Sequence, residues 1–197
     1  MSEATIDPAA RFASWYSAAC AHPGIADASA VNLATATSDG RPANRMVLLK
    51  DCDARGFVIY TNLGSRKASE LIDNPYAALC FYWEAMGRQV RIEGKAEPVS
   101  DEEADTYFAS RPLSSRIGAW ASRQSARLES RARLAARVAH QSLSFSLGER
   151  GRPPFWSGFR VVPERIEFWT SGQHRLHDRI VFEKGDSGDW HRYLLYP

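Results

Sequence analysis

Val31-Asn-Leu-Ala-Thr-Ala-Thr37, then Ser38-Asp39-Gly40, then Met46-Val-Leu-Leu49 is the stretch that decides the fold. Residues 31–37 and 46–49 are rich in β-branched and apolar side chains, and Ser-Asp-Gly is a hairpin turn signal between them. Two strands close in sequence and joined by a turn pair antiparallel, with no crossover helix. Working outward, Asp7 can cap a helix that Pro8 opens, and Phe12, Trp15, Tyr16 and Ala19 recur at three- and four-residue steps to give it one apolar face. Phe57 to Thr61 reads as a third strand. Ser65 caps a short helix to about Asp73, stopped by Asn74-Pro75. Leu79 to Trp83 and Val90 to Ile92 read as a further pair around Met86-Gly87.

Ser100-Asp-Glu-Glu103 is a capping box whose helix ends near Arg111-Pro112, and a longer Arg- and Ala-rich helix is predicted from Ser125 to about Phe145. Its charge run (Arg127, Arg131, Arg133, Arg137) reads as a solvated face. Phe159 to Val162, Ile166 to Trp169, Ile180 to Glu183 and Trp190 to Leu195 complete the strands. Short strands with peripheral helices and no βαβ alternation predict a mainly β fold, an antiparallel barrel with appended helices. One domain is expected over residues 1–197, with a helix at the N-terminus and helical insertions near 100–146.

The 197 residues are 44% apolar, enough for a sizeable core, and the net charge of +2 provides no global field to recruit nucleic acid or an anionic membrane. Cys20, Cys52 and Cys80 are far apart and form no CxxC pair, so neither a disulfide framework nor a cysteine zinc site is indicated. The five histidines are scattered, and no metal site is expected. No signal peptide pattern and no membrane-length apolar run is present, which predicts a cytoplasmic protein. There is no P-loop, GxGxxG or GxSxG, which disfavours nucleotide hydrolysis, a Rossmann cofactor site and serine hydrolysis.

Positive charge is local. Arg45, Arg66 and Lys67, with hydroxyls and amides from Thr61, Gln124 and Ser125, can hold one phosphate. Lys50, Tyr107, Arg111 and Ser115 can hold another, although Pro112 interrupts any single helix carrying the last three. So many anion-seeking groups beside apolar strands point to a phosphorylated cofactor together with a phosphorylated substrate. Arg175 and His177, two residues apart on an extended chain, would share one face and could grip a planar, electron-rich ligand. His177 alone could equally be a base, a donor or a packing residue.

The segments RMVLLK (45–50), YTNLGSRKA (60–68), RQV (88–90), SRP (110–112), RIGAW (116–120), SRQS (122–125), FW-x-GFR (155–160), IEFW (166–169) and HRLHDR (174–179) resemble the pyridoxamine 5′-phosphate oxidase family, in order and with compatible spacing. The resemblance implies an FMN-binding split β-barrel homodimer, with FMN at the subunit interface. It implies oxidation of pyridoxamine or pyridoxine 5′-phosphate to pyridoxal 5′-phosphate, with oxygen as acceptor and hydrogen peroxide as product. By position it assigns FMN contacts to Arg45, Met46, Val47, Leu48, Leu49, Lys50, Tyr60, Thr61, Arg66, Lys67, Gln89, Gln124, Ser125, Trp169 and Arg179. Substrate contacts fall on Lys50, Tyr107, Arg111, Ser115, Arg175, Leu176 and His177, with Arg175 and His177 acting at the ring as the catalytic pair. Two departures are expected: the family's N-terminal covering segment is absent or replaced before Asp7, and Leu194 stands where the family tends to carry Arg and packs in the last strand. The alternatives are a related FMN oxidase acting on a phenazine-type ring and a non-catalytic pyridoxal phosphate binder.

Overall fold

A computed structural model describes residues 7–148 and 150–197. The expectation about the segment before Asp7 lies outside them. Helix α1 (Pro8–Ala21) begins as the sequence requires: the Asp7 side chain accepts from the Ala9 N–H and Pro8 occupies the first turn. Strands β1 (Ala30–Ala36) and β2 (Pro42–Leu48) form the expected hairpin, with Gly40 in left-handed backbone at its turn. Then come β3 (Asp51–Asp53), β4 (Gly56–Asn62), α2 (Arg66–Asp73), β5 (Tyr76–Trp83) and β6 (Arg88–Pro98). Helices α3 (Asp101–Ser110), α4 (Leu113–Ala121) and α5 (Arg131–Ser146) precede β7 (Trp156–Thr170), β8 (Asp178–Lys184) and β9 (Trp190–Leu194).

Every strand pairing is antiparallel, in the order β2-β1-β5-β6-β7-β4-β3, with β8 and β9 continuing from β7. The sheet curls into a split barrel. Strand β7 is its spine. Its first half pairs with β4, its second half with β8, and β6 follows it from Phe159 to Thr170. The register of β6 on β7 shifts between Glu93 and Gly94, where Gly94 lies so close to the partner that a Cβ would sit 2.0 Å from the Val162 carbonyl oxygen. Such a bulge bends a strand and tolerates the missing N–H of Pro163.

That bend corrects the sequence expectation of two separate strands at 159–162 and 166–169; they are one. Helix α4 and the short β3 were not expected, and α5 starts at Arg131, capped by Ser130, rather than at Ser125. Ser125 is held at φ 68°, which interrupts a helix. Leu194 lies in β9 as expected but is exposed rather than packed.

The core sits between α1 and the sheet. Phe12 is fully buried and meets Phe57 edge-on at 4.8 Å and Phe81 at 5.2 Å, while Trp15 meets Phe168 at 5.2 Å. Tertiary packing of this stripe, more than propensity, holds a helix of this length. Buried Arg160 of β7 bridges Asp53 of β3 (2.9 Å) and Glu103 of α3 (2.7 Å), and Arg152 pairs with Asp101 and Asp105 while donating to the Trp156 carbonyl. These pairs fix α3 to the sheet. Among the described residues no helix is long and apolar enough to cross a membrane.

Phe12→Ala is expected to cost about 3–5 kcal/mol by leaving an unfilled cavity. Urea unfolding should show a lower midpoint at unchanged slope; a loss under about 1 kcal/mol would mean that the core does not depend on α1.

Candidate functional site

Between β2, β4, α2 and the end of α3 lies a cavity of about 710 Å³. Alternation along β2 puts Arg45 opposite Leu33 on β1. Leu49 turns into the core, its N–H bonded to the Ser29 carbonyl, and Lys50 then pairs through its backbone with Val58. That turn leaves the Lys50 side chain exposed at the cavity wall. Arg45, Met46, Val47, Leu48 and Lys50 all line the cavity; Leu49 does not.

The first cation cluster is built on β4, α2 and the 122–125 loop. Lys67 is 9% exposed; its Nζ donates to Thr61 Oγ1 at 3.2 Å, and Thr61 donates to Gln124 Oε1 at 3.2 Å. The Arg66 backbone N–H donates to Ser125 Oγ at 3.2 Å. Segments some sixty residues apart thus meet at one point, and left-handed backbone at Ser125 is part of how they meet. Burial, followed by the nearby Arg45 charge, holds the Lys67 amine below its ordinary value, and no carboxylate among the described residues pairs with it. Arg45 and Arg66 share buried Glu70, at 3.0 and 2.7 Å. Sequence reading missed Glu70, whose signal was its position four residues after Arg66 on a helix.

The second cluster stands at the C-terminal end of α3. Tyr107 stacks on Tyr60 (4.1 Å, 14°), and Tyr60 is parallel to Trp156 (5.3 Å, 3°). Arg111 lies over the Trp156 ring at 4.8 Å. Its Nη1 is buried with no hydrogen-bond partner among the described residues, and burial lowers its pKa against the opposing pull of Tyr107. Burial also raises the Tyr107 hydroxyl, again opposed by Arg111. A buried, unsatisfied guanidinium N–H is costly and calls for an anion. Trp156 and Asn62 also line the cavity and were not singled out beforehand, although both fall in motif stretches. Ser115 does not line it; Ala119, one turn further along α4, does.

The remaining site residues form a separate patch. Gln89 pairs with Trp169 across β6 and β7, Trp169 faces Arg179 across β7 and β8, and the His177 ring lies 4.6 Å from Trp169. Arg179 is held by Glu167 at 2.8 Å and donates to the Tyr196 carbonyl. None of Gln89, Trp169, Arg175, Leu176, His177 and Arg179 lines the cavity of its own protomer.

The extended geometry expected for 175–177 is corrected. Gln173–Arg175 is a 3₁₀ turn with His174 and Arg175 at φ 55° and 64°. Gly172 lets the chain fold back, since a Cβ there would lie 1.8 Å from the Leu176 carbonyl oxygen, and His177 Nδ1 accepts from the Gly172 N–H. Strand parity therefore does not govern where Arg175 and His177 point.

These features define an antiparallel split-barrel protein in which one cavity presents two cation clusters and a stack of aromatic rings. The family model for pyridoxamine 5′-phosphate oxidase matches residues 21–143, and that for the pyridoxine 5′-phosphate oxidase C-terminal dimerisation region matches residues 156–197. A pyridoxine/pyridoxamine 5′-phosphate oxidase of Maricaulis maris is 55% identical over 97% of this chain and 86% of its own. PhzG from Burkholderia lata 383, solved in complex with tetrahydrophenazine-1-carboxylic acid, superposes with a TM-score of 0.92 at 33% identity, covering 99% of this chain and 95% of its own. An FMN-binding protein of Nostoc punctiforme, related to pyridoxamine 5′-phosphate oxidase, shares the fold with a TM-score of 0.73 at 17% identity, over the full length of both chains. The chain belongs to the pyridoxamine 5′-phosphate oxidase family and is an oxidoreductase.

Because burial penalises the charged form of Lys67, the ligand-free protein is expected to gain stability as pH rises through the lowered folded pKa toward the ordinary lysine value. Lys67→Met should remove that slope and stabilise the ligand-free protein by about 0.5–2 kcal/mol, while weakening binding of a phosphorylated flavin. Thermal melts across pH, with and without FMN, check both halves.

Proposed function

We propose that the chain oxidises pyridoxamine 5′-phosphate, and pyridoxine 5′-phosphate, to pyridoxal 5′-phosphate, with FMN as cofactor and oxygen as final acceptor. With the amine substrate, oxygen and water are consumed and ammonia and hydrogen peroxide released. The observation that carries this reading is half-buried Arg111, whose Nη1 is buried without a partner among the described residues beside Tyr107, in the same cavity as a separate cluster of Arg66 and Lys67. Two anion sites in one cavity suit a phosphorylated cofactor next to a phosphorylated substrate.

When bound, FMN supplies a two-electron acceptor for the substrate C4′–H bond. Arg45, Arg66 and Lys67, with Thr61, Gln124 and Ser125, hold its phosphate. Lys50, Tyr107 and Arg111 hold the substrate phosphate; Ser115, which does not line the cavity, is not part of this set. The rings of Tyr60, Tyr107 and Trp156 restrict Arg111 to one orientation and keep water from its buried face. A second copy of the chain brings Gln89, Trp169, Arg175, Leu176, His177 and Arg179 to the cavity, where Arg175 and His177 orient the substrate ring. The match of residues 156–197 to a dimerisation region supports that pairing, as does the exposure of Met46 (63%) and Leu48 (41%) on the cavity wall. Three free thiols and phosphorylated small-molecule ligands suit a cytoplasmic setting.

The likeness to PhzG supports a second reading, a flavin oxidase of a phenazine-type ring. The Lys50, Tyr107 and Arg111 set favours a phosphate over a ring carboxylate, because it offers more donors than a carboxylate has lone pairs to fill. Anaerobic mixing of FMN-loaded protein with pyridoxamine 5′-phosphate discriminates: bleaching of the flavin supports the proposed activity. Bleaching only by a dihydrophenazine supports the second reading, and no bleaching by either supports a non-catalytic binder.

Arg111→Ala and Lys50→Ala should each raise KM for pyridoxamine 5′-phosphate about ten- to a hundredfold, the loss of one charge-assisted contact of roughly 1.5–3 kcal/mol. FMN binding should weaken far less than substrate binding, although Lys50 borders both sites; a parental KM in both variants would remove the substrate cradle from this cavity.

Arg175→Ala is expected to slow anaerobic flavin reduction at saturating substrate while FMN content holds, because a group that steadies charge as the C4′–H bond breaks acts mainly on kcat. Stopped-flow single turnovers at the parental rate would assign Arg175 to another task.

A further inference from the structure

We infer that Glu70 is a positioning residue that presets the cofactor-phosphate cradle and so gives the protein its preference for FMN over riboflavin. The inference rests on the assignment of Arg45, Arg66 and Lys67 to the FMN phosphate. Glu70 is 4% exposed and does not itself line the cavity. Its oxygens divide the work. Oε1 accepts from Arg66 Nε at 2.7 Å, and Oε2 accepts from Arg45 Nη2 at 3.0 Å and from Thr35 Oγ1 at 2.5 Å. Arginines from β2 and α2 are thereby tied to one carboxylate. Burial works against the charged form of Glu70, but the hydrogen bonds from Thr35, Arg66 and Arg45 outweigh it and hold the carboxyl below its ordinary value.

The atoms left over are the ones a phosphate needs. Arg66 is held through Nε, which leaves both terminal amino groups for a ligand. Arg45 donates through Nη1 to the Leu33 carbonyl and Thr35 and keeps its Nε–H and one Nη2 proton. Among the described residues Lys67 has only the Thr61 hydroxyl. Three cations and one carboxylate leave two positive charges, which a phosphate monoester of charge about −1.5 to −2 balances. A flavin without phosphate would leave them uncompensated in a half-buried wall. Long arginine side chains lose rotamer freedom when they grip a ligand; Glu70 imposes that loss on folding, so it is not charged to binding.

The test uses the full chain stripped of flavin, with FMN and riboflavin titrated separately and flavin fluorescence read. The wild type should prefer FMN. Glu70→Gln and Glu70→Ala should weaken FMN binding about tenfold or more while riboflavin binding stays within about twofold, because the lost alignment concerns only the phosphate. A merely structural role would weaken both flavins alike, or lower the melting temperature with the preference kept, and either result overturns the inference. Tighter FMN binding, the outcome if Glu70 only repelled the phosphate, overturns it too. Should neither variant fold, Glu70→Asp carries the test, since it keeps the charge and shortens the reach: preference lost supports the role, preference kept overturns it. A wild type that binds both flavins equally overturns the cradle assignment itself, and the Glu70 role with it.

Discussion

Positive charge taken out of water without a partner is the constraint around which this molecule is arranged. Burying an unpaired cation costs several kcal/mol unless a counter-charge or hydrogen bonds compensate it. The chain has the acids to do so and uses them elsewhere. Arg160 is neutralised by Asp53 and Glu103, Arg152 by Asp101 and Asp105, and buried Glu167 serves Arg91, Arg165 and Arg179 together. In the cavity the pattern reverses. Glu70 is shared between two arginines, Lys67 has a hydroxyl, and Arg111 has an aromatic face and an N–H without a partner. The same fold that satisfies these arginines at its seams leaves the cavity cations short of counter-charge, as an anionic ligand would require.

Much of the local structure was legible because it is decided locally. Asp7-Pro8, Ser65 and Ser100-Glu103 are capping arrangements whose hydrogen bonds close within three residues, and each helix starts where they place it. What the sequence hid was decided at a distance. Pro163 reads as a break between two strands, yet β7 runs through it because Gly94 on the neighbouring strand lets the backbones approach. Helix α4 carries Gly118 in its middle and was hidden for that reason. The same holds for 172–177, where two successive residues in left-handed backbone and a glycine pressed against Leu176 replace the extended chain that alternation implied.

The site divides along the same line. Residue types gave the chemistry: arginines, a lysine, hydroxyls and amides in numbers that suit two phosphates. Convergence was not readable, because Thr61, Lys67 and Gln124 meet only after β4, α2 and the loop beyond α4 have packed. Glu70 was overlooked for an instructive reason. A glutamate in a short polar helix reads as a solvated surface residue, and only the tertiary placement of α2 against Thr35 turns it inward. Charge counted along a chain therefore overstates the free charge of a site; Arg45 and Arg66 arrive already half compensated.

Strand β7 explains why one protomer does not hold all the groups its sequence offers. It supplies Trp156 to the cavity at one end and Trp169 to the Gln89–Arg179 patch at the other. Thirteen residues of strand separate them, roughly 40 Å of contour at about 3.3 Å per residue. The bulge opposite Pro163 bends that path, but the two halves still pair with different neighbours, β4 on one side and β8 on the other, and open on different parts of the molecule. The cavity that Trp156 lines includes none of the residues at the Trp169 end. If both groups serve one ligand, they come from two copies of the chain, with the C-terminal half of β7 in one copy meeting the cavity wall of the other. On that geometry each long strand contributes to two sites, and dimerisation becomes a condition for assembling the site.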